Sequence, residues 1–133
     1  MIRNFCSFNA DFPDDSQENE RDDIEIPAGR NLAAALVESL RGSGVQVSDP
    51  YQHSFYGWAV DIRTDKCTIQ CLIQNPQPWL LIVEARRSLG DRMTGKRHDG
   101  ALSQALHTIQ QAMNTDPRFT PIGWYTRQEF ESR

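Results

Sequence analysis

Cysteine and histidine are scarce in this chain, three of each in 133 residues, and their spacing excludes most of the chemistry they support. Cys67 and Cys71 lie four residues apart on a predicted strand, about 13 Å at the usual rise, which is beyond disulfide reach. Three reduced thiols are therefore expected. His53, His98 and His107 form no i, i+4 pair, and neither H-x-x-x-H nor C-x-x-C occurs, so no metal site and no cofactor are predicted. Gly42-Ser43-Gly44 follows a helix rather than a strand and does not resemble a phosphate-cradling loop. Long apolar runs are missing too. The most strongly apolar stretch is Trp79-Leu80-Leu81-Ile82-Val83, against the roughly 18 residues a membrane span needs. The start, Met1-Ile2-Arg3-Asn4-Phe5-Cys6, lacks the apolar stretch and cleavage site of a secretory leader. A soluble cytoplasmic protein with no membrane partner is the expectation.

Charge is present in both signs but unevenly placed. The net charge is −4. Between Asp11 and Glu25 stand eight acidic residues and one basic, Arg21; everything else carries ten acidic and thirteen basic. A mildly basic body thus bears one acidic segment, and a global field that attracts nucleic acid is absent. Arg86, Arg87, Arg92, Lys96 and Arg97 form the basic cluster. No aromatic residue is interleaved among them, which removes the stacking platforms of nucleic-acid sites. The expectation is a solvated loop paired with the acidic segment of the same chain, with an acidic protein partner as the alternative.

Apolar periodicity supplies the elements. Ile2 to Phe8 predicts a short strand, and 9–23 a solvated acidic loop. Ile24-Glu25-Ile26 before Pro27 is extended. Leu32, Ala33, Leu36, Val37 and Leu40 recur at helical spacing, predicting a helix over 30–41 that Gly42 and Gly44 stop. Val45 and Val47 suggest a short strand. A three-strand meander comes next. Phe55 to Ile62 puts Tyr56, Trp58, Val60 and Ile62 on one face, and the next run does the same with Cys67, Ile69, Cys71 and Ile73. A tight turn at Thr64-Asp65 sets Val60 opposite Ile69 and Trp58 opposite Cys71. After the break at Asn75-Pro76-Gln77-Pro78 comes the uninterrupted run of 79–83, which implies a strand covered on both faces. Residues 85–97 are a loop. Asp99 caps a second helix whose stripe is Leu102, Ala105, Leu106, Ile109, Ala112 and Met113, ending at Asp116-Pro117. Ile122 to Tyr125 is a last short strand, followed by a polar tail.

The fold class is α+β: one domain over 1–133, an antiparallel sheet built on the meander, two helices packed on one face, and an acidic loop at about 9–23. Trp58 and Trp79 are expected in the core. For catalysis the candidates are Asp61 and Glu84 on the less apolar sheet face, near Arg63, Arg86 and Arg87, and His107. The plainer reading of the carboxylates is a cross-strand ion network.

The size, the acidic balance, the helix–meander–helix layout and the segments Tyr56-Gly57-Trp58 and Gly123-Trp124-Tyr125 resemble small bacterial immunity-type proteins. That resemblance implies a non-catalytic inhibitor that occludes a partner toxin, and it carries over no functional residue. The residues themselves nominate the partner surface: Asp14, Asp15, Glu18, Glu20, Asp22 and Asp23, with Asp49 and the loop through His53 beside them. Such a strip suits the basic cleft of a toxin. The layout is also similar to the small acidic chaperones of bacterial secretion systems, which dimerise and offer an apolar surface. A chaperone or adaptor is therefore the alternative, a small enzyme the third reading.

Overall fold

The computed structural model describes residues 2–21, 24–53, 57–75 and 78–132, with the backbone alone at 24 and 25. Phe55 and Tyr56 of the predicted first meander strand, and Pro76 and Gln77 of the predicted break, lie outside the described residues. The strands are β1 (Phe5–Ala10), β2 (Gln17–Glu18), β3 (Ile24–Ile26), β4 (Gln46–Val47), β5 (Tyr51–His53), β6 (Gly57–Arg63), β7 (Thr68–Gln74), β8 (Trp79–Ala85) and β9 (Phe119–Tyr125). The helices are α1 (Arg30–Gly42), α2 (Leu89–Thr94), α3 (Asp99–Thr115) and α4 (Arg127–Glu131). Seven strands form one antiparallel sheet in the order β4-β6-β7-β8-β1-β9, with β5 also on β6, while β2 and β3 form a separate pair. The fold is α+β.

The sheet face that α1 and α3 cover is the one the alternation marked. Trp58, Val60 and Ile62 of β6, Ile69, Cys71 and Ile73 of β7, and Trp79, Leu81 and Val83 of β8 join the helices' apolar stripes in one buried cluster. The register, however, is two residues away from the tight-turn expectation. Val60 pairs with Cys71, Trp58 with Ile73 and Ile62 with Ile69. The cause is a wider turn. Thr64 Oγ1 accepts the backbone N–H groups of Lys66 (3.2 Å) and Cys67 (3.0 Å) and donates to the Cys67 carbonyl at 2.9 Å. A slide of two preserves which face each side chain takes, so the core is unaffected.

β8 lies inside the sheet, which explains its unbroken apolarity. Leu80 and Ile82 alternate to the second face beside Phe5 and Leu72, where Phe5 pairs with Ile82 and Leu72 with Ile82 across the two ladders. Part of that face is covered by α4, a helix the polar tail did not announce. Phe130 packs on Phe5 with ring centroids 5.3 Å apart and on Tyr125 at 6.4 Å. A reciprocal cap fixes the helix start: Thr126 Oγ1 accepts from Glu129 N–H and Glu129 accepts from Thr126 N–H. Arg3 closes on the same carboxylate at 3.0 Å.

Both outer edges of the sheet are broken. On β9, Ser7 faces Gly123 and Phe8 faces Pro121, leaving Ile122 as an extra, half-exposed residue. On the other side Ser48 donates its N–H to Asp61 and Tyr51 pairs with Ala59, so Asp49 and Pro50 together oppose Val60. These are bulges, each next to or including a proline.

Two outcomes test this packing. Ile109 is fully buried between α3 and the sheet, and Ile109→Ala is expected to cost about 3 kcal/mol in urea unfolding. Arg3, followed by the Thr126 N–H, holds the Glu129 carboxyl down at about 2, against an ordinary 4.5. A depressed carboxyl stabilises the folded form above its ordinary value and loses that contribution as pH falls through the folded one. Docking of α4 should therefore loosen progressively between 4.5 and about 2. Ring-current shifts of Phe130 by NMR would report it, and a flat titration would dismiss the Arg3–Glu129 contact as an anchor.

Candidate functional site: an acidic hairpin clamped to a helix start

The acidic segment leaves the end of β1 and returns at the start of α1, and it is a built element rather than an open loop. Phe12 packs on Phe119 at 5.5 Å beneath the Arg118 guanidinium, 4.8 Å from the ring centre. Asp116 holds that guanidinium at 2.8 Å, and the Asp11 N–H donates to the Arg118 carbonyl at 2.8 Å. Asp14 Oδ1 accepts the Ser16 N–H at 2.9 Å, closing a turn and lowering the Asp14 carboxyl. β2 then pairs with β3, and between them Asn19 Oδ1 accepts from the Arg21 N–H at 2.8 Å.

Asp15 makes the decisive contact. The N-cap of α1 is Gly29, which has φ 117 and no side chain with which to cap. A side chain there would be strained, and its Cβ would come within 3.1 Å of the Trp79 ring. The first turn of α1 would thus expose unpaired N–H groups. Asp15 supplies the missing acceptors: Oδ1 takes the Gly29 N–H and Oδ2 the Asn31 N–H, both at 2.8 Å. A carboxylate is favoured there by the helix dipole as well. Below it, Trp58 Nε1–H donates to the Pro27 carbonyl at 2.9 Å, and Arg30 lies over the Trp58 ring. Both tryptophans are buried and belong to the core.

The nominated strip is therefore divided by the fold. Asp14, Glu18 and Glu20, joined by Asp11, are exposed on the hairpin, and no cation lies within 4.0 Å of any of their carboxylates among the described residues. Asp15 turns inward to α1. Asp49 is elsewhere, on the β4–β5 edge, where Arg41 pairs with it at 3.0 Å. His53 is in β5, opposite Gly57. Asp22 and Asp23 lie outside the described residues.

Among the described residues the basic cluster does not pair with this hairpin. β1 and β8 are antiparallel neighbours, with Phe8 opposite Trp79 and Phe5 opposite Ile82. The segment after β1 and the segment after β8 consequently leave from opposite ends of the sheet. Within the cluster, α2 interrupts what the sequence reads as loop. Its start is a reciprocal cap between Ser88 and Asp91, and its end is Gly95 at φ 76. The S-x-x-D of 88–91 and the T-x-x-E of 126–129 were the signals for the two short helices.

The other candidate groups are occupied individually. Asp61 and Glu84 share the second sheet face, with Gln70 between them as partner of both. Asp61 accepts from the Tyr51 hydroxyl at 2.9 Å and sits 3.7 Å from Arg86, while Arg127 holds Glu84 at 2.6 Å. This is a cross-strand ion network in which each carboxylate has its own partners. His107 is exposed on α3. His98, by contrast, is 3% exposed in its side chain and holds Asp91 through Nε2 at 2.9 Å. The thiols are free, and burial pushes Cys6 and Cys71 up to about 12. Among the described residues no group of three or more His, Cys, Asp or Glu side chains is arranged to hold a metal ion, and no helix is long and apolar enough to cross a membrane.

No known protein family, no curated protein and no solved structure matches this chain.

The clamp itself can be tested. Asp15→Ala leaves two helix-start N–H groups without their acceptor, which is expected to cost about 1 kcal/mol in urea unfolding. Amide exchange should accelerate at Gly29 and Asn31 above all. Unchanged exchange there would mean that Asp15 does not fasten the hairpin.

Proposed function

We propose that this chain is a non-catalytic protein-binding domain, an inhibitor of the immunity type, that occludes a basic cleft of its partner with the acidic hairpin. One observation carries the reading: the carboxylates of Asp11, Asp14, Glu18 and Glu20 stand exposed, with no cation within 4.0 Å among the described residues, on a segment that Phe12 ties to Phe119 and Asp15 ties to the start of α1. Acidic residues that served solubility alone would need no such fastening. A preset strip loses less conformational freedom on binding, so more of its Coulombic attraction reaches the affinity. Repulsion among the carboxylates in the free state is relieved when a basic partner docks, and steering of the encounter comes from the same field. The three free thiols suit the cytoplasmic setting that goes with this reading.

The test is capture of a partner from lysate by the tagged chain at low and high salt, followed by kinetics on the purified pair. The triple variant Asp11→Asn/Glu18→Gln/Glu20→Gln leaves Asp15 and Phe12 in place. It is expected to slow association by about tenfold or more at low salt and to flatten the salt dependence. Capture that survives both the variant and high salt would exclude the acidic hairpin as the binding surface and favour an apolar, chaperone-like mode.

A further inference from the structure

The opposite end of the sheet carries a second built feature, unrelated to the hairpin. None of the residues of α2 is buried, and Leu89 and Met93 are 75% and 79% exposed. They stand at i and i+4, so one turn of helix sets them side by side. Polar contacts hold this turn in place although it adds nothing to the core. Arg87 donates through Nε to the Lys96 carbonyl at 2.9 Å and through Nη2 to the Asp91 carbonyl at 3.2 Å. The Lys96 N–H also reaches the Asp91 carbonyl, at 2.9 Å. His98, at φ 56 the one non-glycine residue with positive φ among those described, anchors the Asp91 side chain. Arg92 on the same helix, and Lys96 and Arg97 just past its end, are exposed, and none has a carboxylate within 4.0 Å among the described residues.

We propose that α2 docks this chain onto an anionic lipid bilayer, Leu89 and Met93 entering the boundary between headgroups and acyl chains while Arg92, Lys96 and Arg97 meet the headgroups. No residue of α2 is buried, so the turn suits a fluid surface that needs no matching pocket, and the combination of exposed apolar side chains with neighbouring cations is that of interfacial helices. Charge placement supports a lipid partner. Seven-residue strands separate α2 from the acidic hairpin by about 20 Å. That exceeds the Debye length of about 8 Å at physiological salt. The net negative charge of the chain therefore does not oppose docking, and repulsion of the acidic end turns the basic end toward the membrane. The inference does not depend on what the hairpin binds.

Sedimentation of the full chain with vesicles tests it, using phosphatidylcholine alone and phosphatidylcholine with phosphatidylserine. Binding is expected only to the anionic vesicles and should weaken with salt. Each of Arg92→Gln, Lys96→Gln and Arg97→Gln should weaken it about fivefold. Leu89→Ser/Met93→Ser should weaken it about tenfold or more while leaving the urea midpoint unchanged, since both side chains are solvent-exposed. No binding to anionic vesicles overturns the proposal. So does binding that the double serine variant retains in full, which would be unspecific charge attraction. A chain that ignores vesicles but captures poly-glutamate, with the same variants weakening capture, would reassign α2 to an acidic protein partner and likewise overturn the lipid reading.

Discussion

The antiparallel pairing of β1 with β8 is the constraint that gives this molecule its polarity. These strands are more than seventy residues apart in sequence, yet Phe5 to Phe8 lie along Ile82 to Trp79 in continuous register. Because they run in opposite directions, the segments that leave their C-terminal ends must emerge at different ends of the sheet. The acidic segment leaves β1 and the basic segment leaves β8. Had β1 joined the sheet parallel to β8, both would have emerged together and neutralised each other. Charge separation here is thus a property of topology and not of composition.

Each end is then built around one aspartate that accepts backbone or ring N–H groups. Asp15 receives Gly29 and Asn31 at the start of α1. Asp91 receives Ser88 and His98 beneath α2, and His98 is the first cause of its lowered carboxyl pKa. In both cases an acidic residue that composition would assign to the solvated surface is consumed by local architecture. The carboxylates left over on the hairpin, and the cations left over at α2 and just past it, keep no ion-pair partner among the described residues.

Much of the fold was legible. The stripe from Leu102 to Met113 and the alternation from Trp58 to Ile73 mark a helix and two strands and the face they share, because burial imposes the periods 3.6 and 2 directly on the sequence. The turn at Thr64 was not legible to the residue, since a hydroxyl that gathers two N–H groups widens a loop without changing its composition. Neither short helix was visible to periodicity, because a single turn is too brief to show a period. Only their capping boxes marked them. The candidate site was legible as a region and not as a set of residues. Asp15 and Glu18 are indistinguishable until the position of Gly29 is known, and Asp49 was joined to the hairpin only by its charge. Leu89 and Met93 escaped notice because three residues separate them, and they meet only once the segment is helical.

The interrupted outer strands decide how any second molecule can approach. A regular edge offers a row of N–H and C=O groups to whatever extended chain comes near, and it does so without discrimination. Ile122 out of register beside Pro121, and Pro50 wedged opposite Val60, deny both flanks of this sheet that continuous row. Lateral growth by backbone pairing is discouraged on either side. A protein arranged in this way can be present at high concentration, with a sheet at its heart, and still refuse to propagate it.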